Sequence, residues 1–430
     1  MYLPFKLFKS IFCTLLLINS ILCYDNYVPS KRFLHNSVII NDKLLILGGY
    51  TFNHYEFEIF YLDLSKSFDN FNLTWTLISD EGLPVYVWRS TSVLSLDNST
   101  VYLIGGLMQN KETHEYDYSN LIYTYDCLTS KWSKPVIDGD KVPPRQNIKG
   151  VIENSGKIYI FGGHNATNLT SLRGVSFNDM NVLDTFSKTW TNLNISENLP
   201  LSCAEYAANI LPNGTIIYIG GLERASNDAN YTLVNMKKIK LFNTITYKWS
   251  QMNATGSYIG PRWYFSSVLT PDGYIIILGG LSYSGGSIDY VGVSPKLARL
   301  DTNQNPFIWS IPPNSEVNAP PYIWGHTANL YNDYMIITFG SELGLNNSVS
   351  QVYFYNIKSN RWVITFSPPD SKTITTSTPS PAAEKSKSLA IGLGTGIGAL
   401  LLISCIFIAI FIVRRIRKRS VILQMPGNIG

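Results

Sequence analysis

Short apolar runs, each closed by polar or turn-forming residues, recur along most of this 430-residue chain. "KLLILGG" (43–49), "TVYLIGG" (100–106), "KIYIFGG" (157–163), "TIIYIGG" (215–221) and "YIIILGG" (274–280) are five of them, rich in β-branched and aromatic residues. None of these runs shows the apolar spacing of an amphipathic helix, so each predicts a strand. Their leading glycines, Gly48, Gly105, Gly162, Gly220 and Gly279, step by 57, 57, 58 and 59 residues, and a weakened copy, "YMIITFGS", puts Gly340 a further 61 on. After each pair comes a strand-like segment leading to a tryptophan: Trp75, Trp132, Trp190, Trp249, Trp309 and Trp362.

A repeat of this length, holding about four short strands, cannot bury both faces of its own sheet and must stack on its neighbours. That predicts an all-β propeller with one repeat per blade. Glycine is the residue for a left-handed turn or a place where a side chain has no room, so the pairs mark the end of each second strand. The pattern resembles the kelch repeat: a first strand often opening near Arg, a second ending in Gly-Gly, a third with Tyr and Asp ("YTYDCLTSKW", "NVLDTFSKTW", "YFYNIKSNRW"), and a fourth opening at Trp. The likeness extends to the propellers of galactose oxidase and attractin-like proteins. It implies a six-bladed kelch β-propeller over residues 24–367 and a surface for binding partners.

The two ends change the picture. "MYLPFKLFKSIFCTLLLINSILC" (1–23) carries Lys6 and Lys9 ahead of an apolar stretch and reads as a signal peptide. Residues 368–388 are rich in Ser, Thr and Pro and read as an extended stalk. The uncharged run 389–413 is long enough to cross a bilayer as one transmembrane helix, and the basic block Arg414, Arg415, Arg417, Lys418 and Arg419 opens a cytosolic tail, 414–430. The chain is therefore expected to be a single-pass type I protein of the plasma membrane or a secretory-pathway membrane, with the propeller outside or in the lumen. Gly392/Gly396 and Gly394/Gly398 form overlapping small-xxx-small steps, from which a weak homodimer through the membrane helix is expected.

Charge follows from that division. The chain is net +4, yet two lysines precede residue 24 and five basic residues follow the apolar run, leaving 27 basic and 30 acidic residues between. The basic surplus belongs to the anchor, so no nucleic-acid partner is expected. Nine sequons lie in the exterior part, at Asn72, Asn98, Asn165, Asn168, Asn194, Asn213, Asn230, Asn253 and Asn346, and are expected to carry sugar. Cys127 and Cys203 fall in non-neighbouring blades and are read as free, small buried hydrophobes.

Candidate chemistry is thin. The likeness to galactose oxidase implies, as an alternative, a copper-radical carbohydrate oxidase, which needs histidines converging with tyrosines on one face. The five histidines, His35, His54, His114, His164 and His326, are isolated, though His35 and His326 share an approximate inner-strand position. No catalysis, metal or cofactor is expected. The expected partner is an extracellular protein or glycan of unknown identity. Arg32 and Arg89 stand 16 residues before their glycine pair and Arg145 and Arg262 stand 17 before, where the fold gathers residues at one mouth of the central channel. Arg32, Arg89, Arg262 and Trp324, flanked by Trp88 and Trp263, are the expected ligand-binding residues, since Arg and Trp dominate binding hot spots. Sequons follow the glycine pairs of repeats three, four and six, so the arc of repeats one, two and five stays open.

Overall fold

The computed structural model describes residues 27–368, apart from 53, 79–81, 118, 167–173, 284–288, 314–315 and 345–346. The expected signal peptide, nearly all of the stalk, the membrane span and the tail lie outside the described residues. Among those described there are strands, turns and no α-helix, and no helix is long and apolar enough to cross a membrane.

Each repeat folds as one antiparallel sheet of four strands in sequence order. In the first, Asn36–Ile40 pairs with Lys43–Tyr50, which pairs with Tyr55–Asp63, which pairs with Trp75–Leu77. The corresponding first strands of the later repeats are Thr91–Leu94, Val151–Ile152, Ala207–Ile210, Ser266–Leu269 and Thr327–Tyr331. Short segments ahead of the third and fifth sheets, Asp138–Gly139 and Thr255–Gly256, add a parallel fifth strand at the outer edge. The repeat tryptophans sit on the fourth strands opposite an apolar residue of the third, as Trp249 faces Phe242 and Trp309 faces Leu300.

Because a single sheet has no second layer, the core is divided into wedges between neighbouring sheets. Leu45, Leu47 and Ile59 of the first sheet pack with Val101, Leu103 and Tyr123 of the second, and Ile217 and Ile239 of the fourth pack with Ile275 and Trp309 of the fifth. The last wedge joins Leu44, Ile46 and Phe60 of the first sheet to Ile336, Phe339 and Phe354 of the sixth. Backbone hydrogen bonds repeat at the junctions. The second glycine of a pair donates to a carbonyl in the next sheet: Gly106 to Arg145, Gly163 to Cys203, Gly221 to Arg262, Gly280 to Ile323 and Gly340 to Arg32, all at 2.8–2.9 Å.

One sequence expectation is corrected here. The sixth copy is aligned one residue earlier than Gly340-Ser341: Phe339 (φ 54°) and Gly340 (φ 107°) repeat the geometry of Gly48 (φ 59°) and Gly49 (φ 110°). The first and last repeats are joined by backbone pairing as well as by side-chain packing. Besides the Gly340 bond, Phe68–Asp69 of the first repeat pairs antiparallel with Thr365–Phe366 at the chain's outer end.

Candidate binding surface at the channel mouth

The mouth is built from the segments that lead into the six first strands. Each contains one residue in the left-handed region: Leu34, Arg89, Asn147, Glu205, Tyr264 and Gly325, with φ between 52° and 64°. This conformation takes the peptide groups out of their own ladder and turns them toward the neighbouring sheet. Leu34 donates to Gly325 O at 2.7 Å, Gly325 to Tyr264 O at 3.0 Å, Glu205 to Asn147 O at 2.9 Å, Asn147 to Arg89 O at 2.9 Å, and Arg89 to Leu34 O at 3.1 Å. Five of the six are not glycine, and a non-glycine residue in this region costs of order 1–3 kcal/mol that the surrounding bonds offset. All six line one small cavity at the channel end.

Arg89 and Glu205 bring opposite charges to that cavity without a direct bond between them. The Arg89 guanidinium lies 4.8 Å from the Trp88 ring and 5.7 Å from that of Tyr264, and among the described residues its Nε has no partner. Burial pushes the Glu205 carboxyl up to about 7, against the pull of the Arg89 charge and of the Tyr264 hydroxyl. Its Oε2 is likewise unpartnered. Two charged groups with unused hydrogen-bonding capacity therefore face the mouth, a combination that suits a polar ligand.

Around them runs a crescent of touching rings. Tyr55 and Tyr50 pack on Trp88, with Tyr50 at 4.7 Å; Phe33 meets Trp324 at 4.8 Å; Trp324 meets Tyr264 at 5.5 Å; and Tyr264 stacks on Trp263 at 4.5 Å. Trp263 in turn meets Tyr283 at 5.9 Å and Tyr290 at 5.7 Å. The crescent thus crosses repeats two, one, six and five. Trp88 and Trp263 are buried in it, Trp324 and Tyr264 are half-buried, and Tyr290 is exposed.

The expected arginine ring is not a ring of one kind. Arg32, Arg145 and Arg262 share one position, two residues before the left-handed residue, and are fully buried. In each, Nε donates to the carbonyl two residues back, at 3.1, 3.2 and 3.1 Å, and Nη1 donates to the carbonyl of the first glycine of the pair, at 3.0, 2.9 and 3.3 Å. Arg32 also meets Glu58 at 2.5 Å and Arg145 meets Asp179 at 2.6 Å. Among the described residues Arg262 is met further only by carbonyls, from Pro295 and Lys296, and burial brings its pKa down to about 9. With every guanidinium turned into its sheet, Arg32 and Arg262 present no charge to a partner, which corrects their expected role. Arg89 occupies the next class of position, on the mouth.

Counting back from the glycines concealed this, because the span from the left-handed residue to the glycine pair varies from 14 in the first repeat to 16 in the second. The aromatic just before it, as in "FLH", "WRS", "WYF" and "WGH", would have aligned Arg89 with Leu34 and drawn attention to Tyr264 and, by extension, Glu205. Of the sequon asparagines, Asn72, Asn98, Asn194, Asn213, Asn230 and Asn253 are exposed and Asn165 is half-buried; Asn168 and Asn346 lie outside the described residues. Cys127 and Cys203 are free thiols. His35 and His326 do occupy matching positions, but His35 Nε2 bonds the hydroxyls of Thr327 and Thr338. Among the described residues no group of three His, Cys, Asp or Glu side chains is placed to hold a metal ion.

Residues 18–221 match a family model described as the KLHDC2/KLHL20/DRC7 Kelch-repeats domain. The chain is similar to the Kelch-like protein terF of Aspergillus terreus, at 25% identity over 56% of this chain and 49% of that protein. It is also similar to Kelch domain-containing protein 3 of Rattus norvegicus, at 25% identity over 51% and 56%. A third relative, Acyl-CoA-binding domain-containing protein 4 of Arabidopsis thaliana, is 23% identical over 79% and 48%. The chain spans about half the length of these curated relatives. Among solved structures, one described as "Structure of YjhT" superposes with a TM-score of 0.56 at 14% identity, covering 78% of this chain and 98% of that one, which speaks to the fold alone.

Proposed function

We propose that this kelch-repeat β-propeller is a six-bladed cell-surface module that binds an extracellular protein or glycan at its channel mouth and carries out no catalysis of its own. The observation behind this reading is the aromatic crescent of repeats two, one, six and five, closed around Arg89 and Glu205. Flat rings supply contact area at low conformational cost, and an unsatisfied charged pair at their centre supplies orientation. The sequons Asn165 and Asn230 lie on repeats three and four, so sugars there leave the part of the crescent on repeats one, two and five open. The leader at 1–23 and the apolar run 389–413 with its basic flank support a single-pass type I topology, with a weak homodimer through the glycine steps of that run.

The test uses the full-length protein displayed on cells. Glycan arrays and proximity labelling identify binders, and Arg89→Ala and Trp324→Ala are then compared with wild type. Binding weakened about tenfold or more at unchanged melting temperature supports the reading, in line with hot-spot truncations of about 2 kcal/mol. Unchanged binding in both variants places the partner elsewhere on the propeller. Protease added to intact cells should remove the propeller and spare the tail; a tail epitope reached from outside would refute the topology.

A further inference from the structure

The end of the propeller opposite the mouth is built from two turns per repeat, an inner one between the first and second strands and an outer one between the third and fourth. The two are tied together in the same way in all six sheets. An amide of the outer turn donates to a carbonyl of the inner one, as Cys127 does to Ser99 at 2.8 Å, Thr185 to Gly156 at 3.4 Å and Thr244 to Gly214 at 3.1 Å. The residue after that donor is the tip of the outer turn, and its own amide donates to the Asp or Asn side chain two residues back, at 2.9–3.1 Å. The tips are Ser65, Leu128, Phe186, Ile245, Asn303 and Lys358. Three are apolar, and they stand out in water: Leu128 is 92% exposed, Phe186 79% and Ile245 77%. Pinned on both sides, these turns cannot fold their tips away.

The inner turns differ in a matching way. The residue just before the acceptor carbonyl is Asn41, Asn98, Ser155, Asn213, Asp272 and Asn332 from the first repeat to the sixth. Of these, Asn98 and Asn213 alone open sequons, Asn98-Ser99-Thr100 and Asn213-Gly214-Thr215, and both are exposed. In both of these repeats the facing tip is apolar, and in three of the four others it is polar. The exception is Phe186, which lies against its own inner turn: a Cβ on Gly156 would meet its ring at 2.6 Å. In the fourth repeat the apolar tip and the sequon touch, since a Cβ on Gly214 would lie 3.9 Å from Ile245 Cγ1. Asn213 Oδ1 accepts from the Thr215 amide at 3.0 Å, a bond that does not use Nδ2, the atom that takes a sugar. Leu96 and Tyr247, also exposed, add apolar surface beside the two sequons.

We propose that Asn98 and Asn213 carry N-linked glycans whose first sugar covers the apolar tip of the neighbouring turn, Leu128 in the second repeat and Ile245 in the fourth. The inference rests on the reading that the propeller lies outside the cell or in the lumen, where such sugars are added. Attachment is a group transfer from a lipid-linked oligosaccharide diphosphate. Asn Nδ2 bonds C1 of the first sugar as the C1–O bond to the diphosphate breaks; the diphosphate leaves with that electron pair, and the amide nitrogen gives up one proton. The attached ring keeps its hydroxyls in water and lays a C–H face on the apolar side chain, which takes apolar surface of both out of solvent.

The experiment uses full-length protein from cells that glycosylate. Peptide mapping by mass spectrometry should find sugar at Asn98 and Asn213. Asn98→Asp and Asn213→Asp remove the acceptor nitrogen and leave a residue that suits the turn, as Asp272 does in the fifth repeat. Each should lower the melting temperature by roughly 2 °C. Ile245→Ser should cost a similar amount in the glycosylated protein and nothing in the Asn213→Asp background, because the sugar and the side chain form one contact. Asn253→Asp removes a sequon that faces Lys238 across its sheet and should show no such coupling to Ile245→Ser. Sugar at other sequons with Asn98 and Asn213 bare would overturn the proposal and leave the topology standing, whereas no sugar at any sequon would overturn both. Full occupancy with additive or absent losses for Asn213→Asp and Ile245→Ser would overturn the covering role.

Discussion

The amide of Gly340 donates to the carbonyl of Arg32 at 2.9 Å, joining residues of the last and first repeats by the same bond that joins Gly163 to Cys203 and Gly221 to Arg262. Leu34 and Gly325 add a second such bond, at 2.7 Å, within the mouth. The junction between the chain's two ends is therefore built like the internal ones.

It follows that the amides of Gly340 and Leu34 should exchange with solvent about as slowly as those of Gly163 and Asn147. Native-state hydrogen exchange reads this directly, since local opening free energy sets the rate. Exchange at Gly340 faster by two orders of magnitude would mean that the ring opens first where the chain ends meet.

The two classes of arginine should separate in stability measurements. Arg145→Met removes a donor from the Gly162 carbonyl and the counter-charge from the Asp179 carboxylate, which keeps the Asn181 and Asn192 amides. Because the Asp179 side chain keeps 25% of its exposure, the expected loss is about 2–3 kcal/mol, at the low end for a broken buried pair. Arg89→Ala removes a stacking contact with Trp88 and should cost less than about 1 kcal/mol. Denaturant unfolding of both variants decides the matter, and equal losses would contradict the division.

Glu205 should impose a pH dependence of definite sign. Burial raises its carboxyl from 4.5 to about 7 in the folded protein. The folded state thus holds the proton more tightly than the unfolded state, and the stabilisation is complete below pH 4.5 and lost as pH rises through about 7. His35 and His326, whose pKa values burial lowers, act in the opposite sense below about pH 6.5. The informative quantity is the difference between wild type and Glu205→Gln. Relative to that variant, wild-type melting temperature should fall between pH 4.5 and 7, and parallel profiles would show that Glu205 titrates normally.

Positions equivalent by repeat are not interchangeable. A Cβ at Gly279 (φ 62°) would lie 2.4 Å from the Ile323 carbonyl oxygen, so Gly279→Ala should cost about 2 kcal/mol or more through left-handed strain and a displaced junction. Its sixth-repeat counterpart, Phe339, tolerates φ 54° because its buried ring meets Trp75 at 5.6 Å and His35 at 5.4 Å. Phe339→Gly relieves about 1 kcal/mol of strain and loses about 3–5 kcal/mol of aromatic packing, so it too should destabilise. A more stable Phe339→Gly protein would refute this account.

The sheet-forming part of the chain was legible from the residues because it is periodic. Apolar runs ending in glycine pairs and followed by a tryptophan report strands, their order and their turns, all of which depend on near neighbours in sequence. The division between Arg32, which braces Gly48, and Arg89, which faces the mouth, was not legible from the glycine spacing. Both stand 16 residues before a glycine, and that count conceals the different strand and turn lengths of the two repeats, which the left-handed residues Leu34 and Arg89 make plain. Arg89, Glu205 and Tyr264 lie in three different repeats and have no motif of their own. They become a site because the sheets close around one axis, and it is that closure, through bonds between residues some 300 apart, that decides which side chains share a channel and which charges go unpaired.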